Sequence, residues 1–327
     1  MKNSVADAKK FIKKLGSKKD KVNNVKKLPI IVDCDPGIDD ALALIMLYEN
    51  IEMFDLKLLC SCAGNTPIDV TTKNLQFFAD NFFRGVKVAK GSNRALVKQS
   101  GISAANVHGD DGLGSYKIGH QKYPIEKDAV KAIVKTLKEA DEPITYVALG
   151  PLTNLAKVVI MYPEVKQKIK VVYSMIGSID GTGNIKPYSE FNSFYDPEAF
   201  DLVVKSGLKL VINPMQLGNE TRVKKSEFSN MPTTTMKDNF VKTIASSINE
   251  VVDPTCVCLY DLNTIIALTN PEFYDFIPCD IFVETTRERS GQCLLIKNEK
   301  GKHCYQKAID MNKLNKHILK TLFKEIN

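Results

Sequence analysis

From Leu28 to Val32 the chain runs apolar, then turns acidic, and after Pro36-Gly37 a nearly all-apolar stretch leads to Tyr48. Such an order predicts a buried strand, a tight turn and a buried helix. Pro29 is tolerable because it falls at the start of the strand. The exchange then repeats. Strands are predicted from Leu56 to Cys62, Val86 to Ala89, Ile144 to Leu149, Val171 to Ile176 and Lys209 to Ile212. Helices are predicted from Thr66 to Phe83, with Ile68, Leu75, Phe78 and Phe82 on one side, and from about Ile125 to Ala140 and Leu152 to Tyr162. Asp196-Pro197-Glu198 reads as the N-cap, first position and early acid of a further helix. From about Ser226 to Thr269 the pattern turns helical, and strands return near Ile281 and Leu294 before a last helix. Two Gly-rich segments, Gly91 to about Pro124 and Gly177 to Tyr195, interrupt this rhythm; loops as long as the first are usually functional or disordered.

Strand and helix in regular exchange imply an α/β fold: a largely parallel, doubly wound, Rossmann-like sheet with helices on both faces, plus a C-terminal helical and strand portion. With neither a repeat nor a linker in view, residues 28–327 read as a single domain behind a Lys-rich extension of residues 1–27. In such folds ligands bind at the carboxyl ends of the strands, which is where Asp33, Asp35, Asn65, Leu149 and the loop after Ile176 would lie.

The net charge of +7 changes little once it is divided. Residues 1–27 hold ten lysines against Asp7 and Asp20, which leaves the other 300 residues at −1. A nucleic-acid surface would place its lysines and arginines on the folded body, so no nucleic-acid partner is expected. No apolar run reaches the ~18 residues of a membrane span, and the extension lacks the apolar segment of a signal peptide. The eight cysteines form no C-x-x-C pair and sit within apolar runs such as Cys60 and Cys62 or Cys256 and Cys258. Buried free thiols in a reducing compartment, the cytoplasm, are therefore expected.

The chemistry concentrates in Asp33-Cys34-Asp35-Pro36-Gly37-Ile38-Asp39-Asp40. Four carboxylates so close resist ionising together unless a cation neutralises them, and a hard cation such as Ca²⁺ or Mg²⁺ suits oxygen ligands. A surface turn capping a helix is the plain alternative. It fits poorly between a buried strand and a buried helix.

This run resembles the N-terminal signature of the nucleoside hydrolase family, D-x-D-P-G-x-D-D. The likeness continues through Ala63-Gly64-Asn65, His108-Gly109-Asp110-Asp111-Gly112-Leu113-Gly114, Leu149-Gly150-Pro151-Leu152-Thr153-Asn154, Met175, Gly183-Asn184, Glu190-Phe191-Asn192 and Asp196-Pro197-Glu198-Ala199. It implies metal-dependent hydrolysis of a ribonucleoside to base and ribose, with Ca²⁺ as the cation and Mg²⁺ as the alternative. It also implies assembly as a homodimer or homotetramer. Asp35 and Asp40 match the family's metal ligands, and Leu149 matches the position that offers its backbone carbonyl. Asp35 also matches the base that takes a proton from a water on the ion. Asp39, Asn65 and Asn192 match the residues on the 2′ and 3′ hydroxyls, Asn184 and Glu190 those near the 5′ hydroxyl, and Met175 a further substrate contact. Asp33 reads as a support for the loop.

The late-chain ligand has two candidates, Asp253 and Asp261. The family's (Asp/Asn)-Pro pair about ten residues further on is matched by Asn270-Pro271, which selects Asp261. Tyr260 then stands where many relatives carry a His proposed to protonate the leaving base. Tyrosine, with an ordinary pKa of about 10, is a poorer acid near neutrality but can stack or donate a hydrogen bond. His108, in its Gly-rich loop, is a second candidate for contact with the base or sugar, and for acid catalysis. Two rival readings are a non-catalytic nucleoside binder and a haloacid-dehalogenase-type phosphatase. The latter needs Thr or Val where Gly37 stands.

Overall fold

The computed structural model describes residues 26–97, 102–114, 116–250 and 253–324. All but the last two residues of the Lys-rich extension lie outside that set.

The first predicted strand, β1 (Leu28–Cys34), is buried along its whole length, as a strand covered on both faces must be. It pairs in parallel with β2 (Phe54–Ser61) on one side and with β4 (Ile144–Ala148) on the other. Beyond β2 lies β3 (Lys87–Lys90); beyond β4 come β5 (Ile169–Met175) and β6 (Leu210–Asn213), all parallel. The strand order therefore reverses beside β1, and the crevice at this reversal lies at the carboxyl ends of β1 and β4.

Side chains of β1 alternate between two cores. Ile30 and Val32 pack with α1 (Ile38–Tyr48) and α2 (Ile68–Asn81) on one face. Ile31 packs on the other with α4 (Ala129–Glu139), α5 (Thr153–Met161) and α7 (Pro197–Lys205). From Ala41 onward helix α1 is apolar all round because helices from the C-terminal part of the chain cover its far side; every residue from Ile38 to Leu47 is buried. Truncating one of its leucines, such as Leu44, would cost roughly 2–5 kcal/mol.

Three expectations need correcting. The helix foreseen from Ile125 begins at Ala129, because Glu126 pairs along β3 (Glu126 N–H to Val88 O, 2.8 Å) and Asp128 caps the helix through Lys131 N–H. The stretch from 226 to 269 is not all helix. It contains α9 (Lys225–Asn230), α10 (Met236–Ser247) and α11 (Leu262–Thr269), but also β8 (Cys256–Cys258), antiparallel to β7 (Arg222–Lys224). Three buried residues in a row carry no periodicity that could tell strand from helix. The tail holds β9 (Tyr274–Val283) and β10 (Cys293–Lys297) as expected, and also β11 (His303–Ala308), which inserts between β6 and β9. Helix α12 (Met311–Leu322) closes the chain's described part. All eight cysteines are buried free thiols. Among the described residues no helix is long and apolar enough to cross a membrane.

Candidate active site

The acidic run turns at the end of β1 and enters α1, and its carboxylates are fixed by local backbone. Asp40 Oδ1 accepts from Asp35 N–H at 3.2 Å, and Oδ2 accepts from Gly37 N–H at 3.0 Å. Asp40 thus serves its own helix N-terminus. Asn65, just after β2, ties the turn from the other side: its backbone N–H donates to Asp35 Oδ2 (2.7 Å) and its amide to Asp40 Oδ2 (3.0 Å). Asp33 is a support. Its carboxylate accepts from the Tyr146 hydroxyl (2.6 Å) and the Asn154 amide (2.9 Å), while its carbonyl accepts from Leu149 N–H (2.8 Å). Gly64 and Gly150 close on Asp35; a Cβ at either would collide with its carboxylate.

Asp39, Asp40 and Asp261 each bring a carboxylate oxygen within 4.8 Å of the other two. Asp261 directly precedes α11 and is buried. Asp253 is half-buried in a turn, where it accepts from Thr255 N–H (2.9 Å) and hydroxyl (2.7 Å) and takes no part in the cluster. Asp35 is fully enclosed, and its Oδ1 has no hydrogen-bond partner among the described residues. The tightest triad therefore includes Asp39, with Asp35 joined to it through the Asp35 N–H bond to Asp40. Burial and mutual repulsion push these acids up: Asp40 to about 7, Asp35 and Asp261 well above the ordinary carboxylate range. Burial also raises Asp33 to about 7. Crowded acids and an unpartnered buried oxygen fit a hard divalent cation, since only positive charge relieves both.

Above this floor opens a cavity of about 330 Å³, within the range of small-molecule sites. Asp39, Asn65, His108, Leu149, Met175, Asn184, Glu190, Asn192, Tyr260 and Asp261 all line it. The Asn192 amide donates to Leu149 O (2.8 Å) and Met175 O (3.0 Å), bridging the ends of β4 and β5. Glu190 caps α6 (Phe191–Tyr195), accepting from Asn192 N–H (2.8 Å) and Ser193 N–H (3.0 Å), and from Gly177 N–H (2.8 Å); burial raises it to about 7. Asn184 lies in the loop from 177 to 190, which the β9–β10 hairpin clamps from outside. Ser189 donates to Ser290 O (2.9 Å), Ser193 to Gly291 O (2.6 Å) and Gln292 to Gly181 O (3.2 Å).

His108 ends α3 (Ala105–His108), and its Nδ1 accepts from Ile38 N–H at 3.1 Å. An accepting Nδ1 means a neutral ring with its proton on Nε2; burial, which lowers the pKa, favours that form. Asn74 joins the loop after His108 to the acidic turn by donating to both Pro36 O (3.0 Å) and Asp111 O (2.8 Å). Gly112, at φ +73°, allows that approach, since a Cβ there would sit 2.9 Å from Pro36 O. The Tyr260 ring lies against Gly218, where a Cβ would strike it, and its hydroxyl donates to Asn219 Oδ1 at 2.6 Å. Burial raises the Tyr260 pKa further, so this hydroxyl stays protonated.

The wall also contains residues that the sequence pattern did not single out, chiefly Asn219 and Glu250. Asn219 belongs to α8 (Met215–Glu220), and Glu250 follows α10. Glu250 accepts from Cys258 N–H at 2.8 Å, and burial raises its pKa to about 7. Neither stands in a motif.

A largely parallel sheet with a carboxylate cluster and a polar cavity at its switch point provides a site suited to a small polar ligand. The family model described as inosine-uridine preferring nucleoside hydrolase matches residues 30–320, and the chain belongs to that family. It is a nucleoside hydrolase. Among its relatives, the non-specific ribonucleoside hydrolase RihC of Klebsiella pneumoniae is 36% identical over 260 residues, 79% of this chain and 84% of that protein. The RihC of Escherichia coli is 34% identical over 263 residues, covering 80% and 86%. The fold matches a plant nucleoside hydrolase, PpNRh1, at a TM-score of 0.85 and 23% identity over 92% of this chain and all of that one. It also matches a purine-preferring ribonucleoside hydrolase from Gardnerella vaginalis at 0.81 and 22% identity, over 90% and 98%.

Proposed function

We propose that the cavity binds a ribonucleoside and hydrolyses its N-glycosidic bond to free base and ribose, in a reaction that depends on a divalent cation. The observation that carries this reading is the Asp39, Asp40 and Asp261 carboxylate cluster, which reaches the cavity through Asp39 and Asp261, with the enclosed Asp35 and its unpartnered Oδ1 tied behind it to Asp40. Asp35, Asp40, Asp261 and the Leu149 carbonyl would hold the cation, Ca²⁺ in preference to Mg²⁺. When bound, it neutralises the crowded acids and lowers the pKa of a coordinated water.

The chain's own groups account for the rest. Asp35, enclosed by Gly64 and Gly150, takes the proton of the attacking water. Asp39, Asn65 and Asn192 hold the 2′ and 3′ hydroxyls, and Asn184 and Glu190 the 5′ hydroxyl. Positive charge grows on the ribosyl ring as the bond to the base breaks, and these carboxylates and amide oxygens stabilise it. Fixed partners for both ring hydroxyls also select against 2′-deoxynucleosides. Near the base, neutral His108 offers Nε2–H and Tyr260 offers a ring face with a protonated hydroxyl. Buried free thiols support a reducing compartment, the cytoplasm, as the place of action.

The test is release of reducing sugar from a panel of ribonucleosides, with Ca²⁺ and after EDTA. Release that EDTA abolishes and Ca²⁺ restores is expected. No release from any nucleoside that still binds would replace this reading by that of a binder.

A further inference from the structure

Glu250 and Asn219 line the cavity yet take no part in holding the acidic floor. Each is oriented by a neighbour. The Tyr260 hydroxyl occupies Asn219 Oδ1 (2.6 Å), so the amide turns its Nδ2 donor to other partners. The Cys258 N–H occupies Glu250 Oε1 (2.8 Å), and the carboxylate keeps acceptor capacity at Oε2. Tyr260, which donates to Asn219 and lies two residues after Cys258, immediately precedes Asp261. With the ribose over the carboxylates, the base is left to the wall formed by α8, the end of α10 and Tyr260. That wall offers one oriented N–H donor and one oriented anionic acceptor.

Resting on the function proposed above, we infer that Glu250 and Asn219 read the edge of the base: Glu250 accepts a ring N–H, and the Asn219 amide donates to the carbonyl oxygen beside it. This donor–acceptor pair matches a lactam edge, as in hypoxanthine, guanine and uracil. Adenine and cytosine present a bare ring nitrogen beside an amino group, the reverse order. Two fixed groups cannot satisfy both orders in one pose, and the carboxylate pairs most strongly with the more acidic ring N–H. A buried acceptor that loses its partner penalises the wrong base beyond the lost bond itself.

The experiment compares E250Q with the parent enzyme at pH 8 on inosine, uridine, adenosine, cytidine and 4-nitrophenyl ribofuranoside, whose leaving group has no such edge. In E250Q the amide oxygen is taken by Cys258 N–H, which leaves an NH₂ donor for the base. The expected result is that kcat/KM for inosine and uridine falls ten- to hundredfold further than for adenosine, cytidine and the nitrophenyl riboside. An equal change on all five substrates, or a greater loss on adenosine and cytidine, overturns the inference while leaving ribonucleoside hydrolysis standing. If the parent enzyme releases ribose from none of them, it is the hydrolase reading that fails. Should E250Q not fold, as judged by lost nitrophenol release and melting, N219S carries the test, with a three- to tenfold selectivity loss in the same direction expected.

Discussion

The floor of the cavity and its base-side wall are built in opposite ways. The floor is largely one continuous turn, Asp33 to Asp40, joined by Asp261 from far along the chain; Asp39 and Asp40 accept from backbone N–H groups of that turn, and Asn65, Tyr146 and Asn154 lock it from outside. The wall draws His108, Asn219, Glu250 and Tyr260 from separate parts of the chain, and each side chain is tied to its own local neighbour: His108 to Ile38, Asn219 to Tyr260 and Glu250 to Cys258. A group embedded in a network cannot be altered without disturbing the others, whereas separately tethered groups can change one at a time. On the function proposed above, the attack chemistry falls to the networked half of the site and base selection to the half that can change one residue at a time.

The contrast can be broken at its strongest point first. Asp35→Ala should lower kcat about 10²–10⁴-fold, the usual worth of a positioned base, in the ribose-release assay. Retention of activity would move the proton-accepting role elsewhere on the floor. Removal of the cation with EDTA should abolish turnover and lower the melting temperature, since a ligand bound only by the folded state stabilises it; added Ca²⁺ should restore both. Asp261→Ala should weaken Ca²⁺ stabilisation and raise KM together, by about tenfold or more, while Asp253→Ala should change neither beyond twofold. The reverse pattern would shift the late ligand to Asp253. Tyr146→Phe should cost about 1–3 kcal/mol in denaturant melts, because buried Asp33 loses a donor, with kcat nearly kept. Tyr260→Phe should have the smallest effect: little if the ring stacks on the base, and a several-fold loss in kcat if the hydroxyl, through Asn219, sets the base contact.

The same difference decides what is legible in the sequence. The floor was legible because its residues are contiguous and their density of like charge has few physical explanations. The alternation of apolar strands and helices gave the parallel sheet and its ligand edge for the same local reason. Asp261 needed the spacing to Asn270-Pro271 to separate it from Asp253. Asn219 and Glu250 carried no signal at all, being lone polar residues whose meaning depends on β7 and β8 folding the segments around them into one wall. The three-residue β8 was missed, and with it the geometry that aims Glu250. Strand β11 was missed because its insertion between β6 and β9 is a long-range pairing with no local mark.

The clamp of the β9–β10 hairpin on the loop from 177 to 190 also bears on how the protein is made. The carboxylate turn is synthesised well before the rest of the pocket, and its sheet partners β2 and β4 follow by residue 148. The loop that carries Asn184 and Glu190 cannot be clamped until Ser290, Gly291 and Gln292 have been synthesised. Because the contacts that complete the pocket span about a hundred residues of chain, they form slowly compared with local helices. A nascent chain therefore carries its acidic turn for a long stretch of synthesis before the cavity wall that bears Asn184 and Glu190 is held in place, and the complete pocket is a late product of folding.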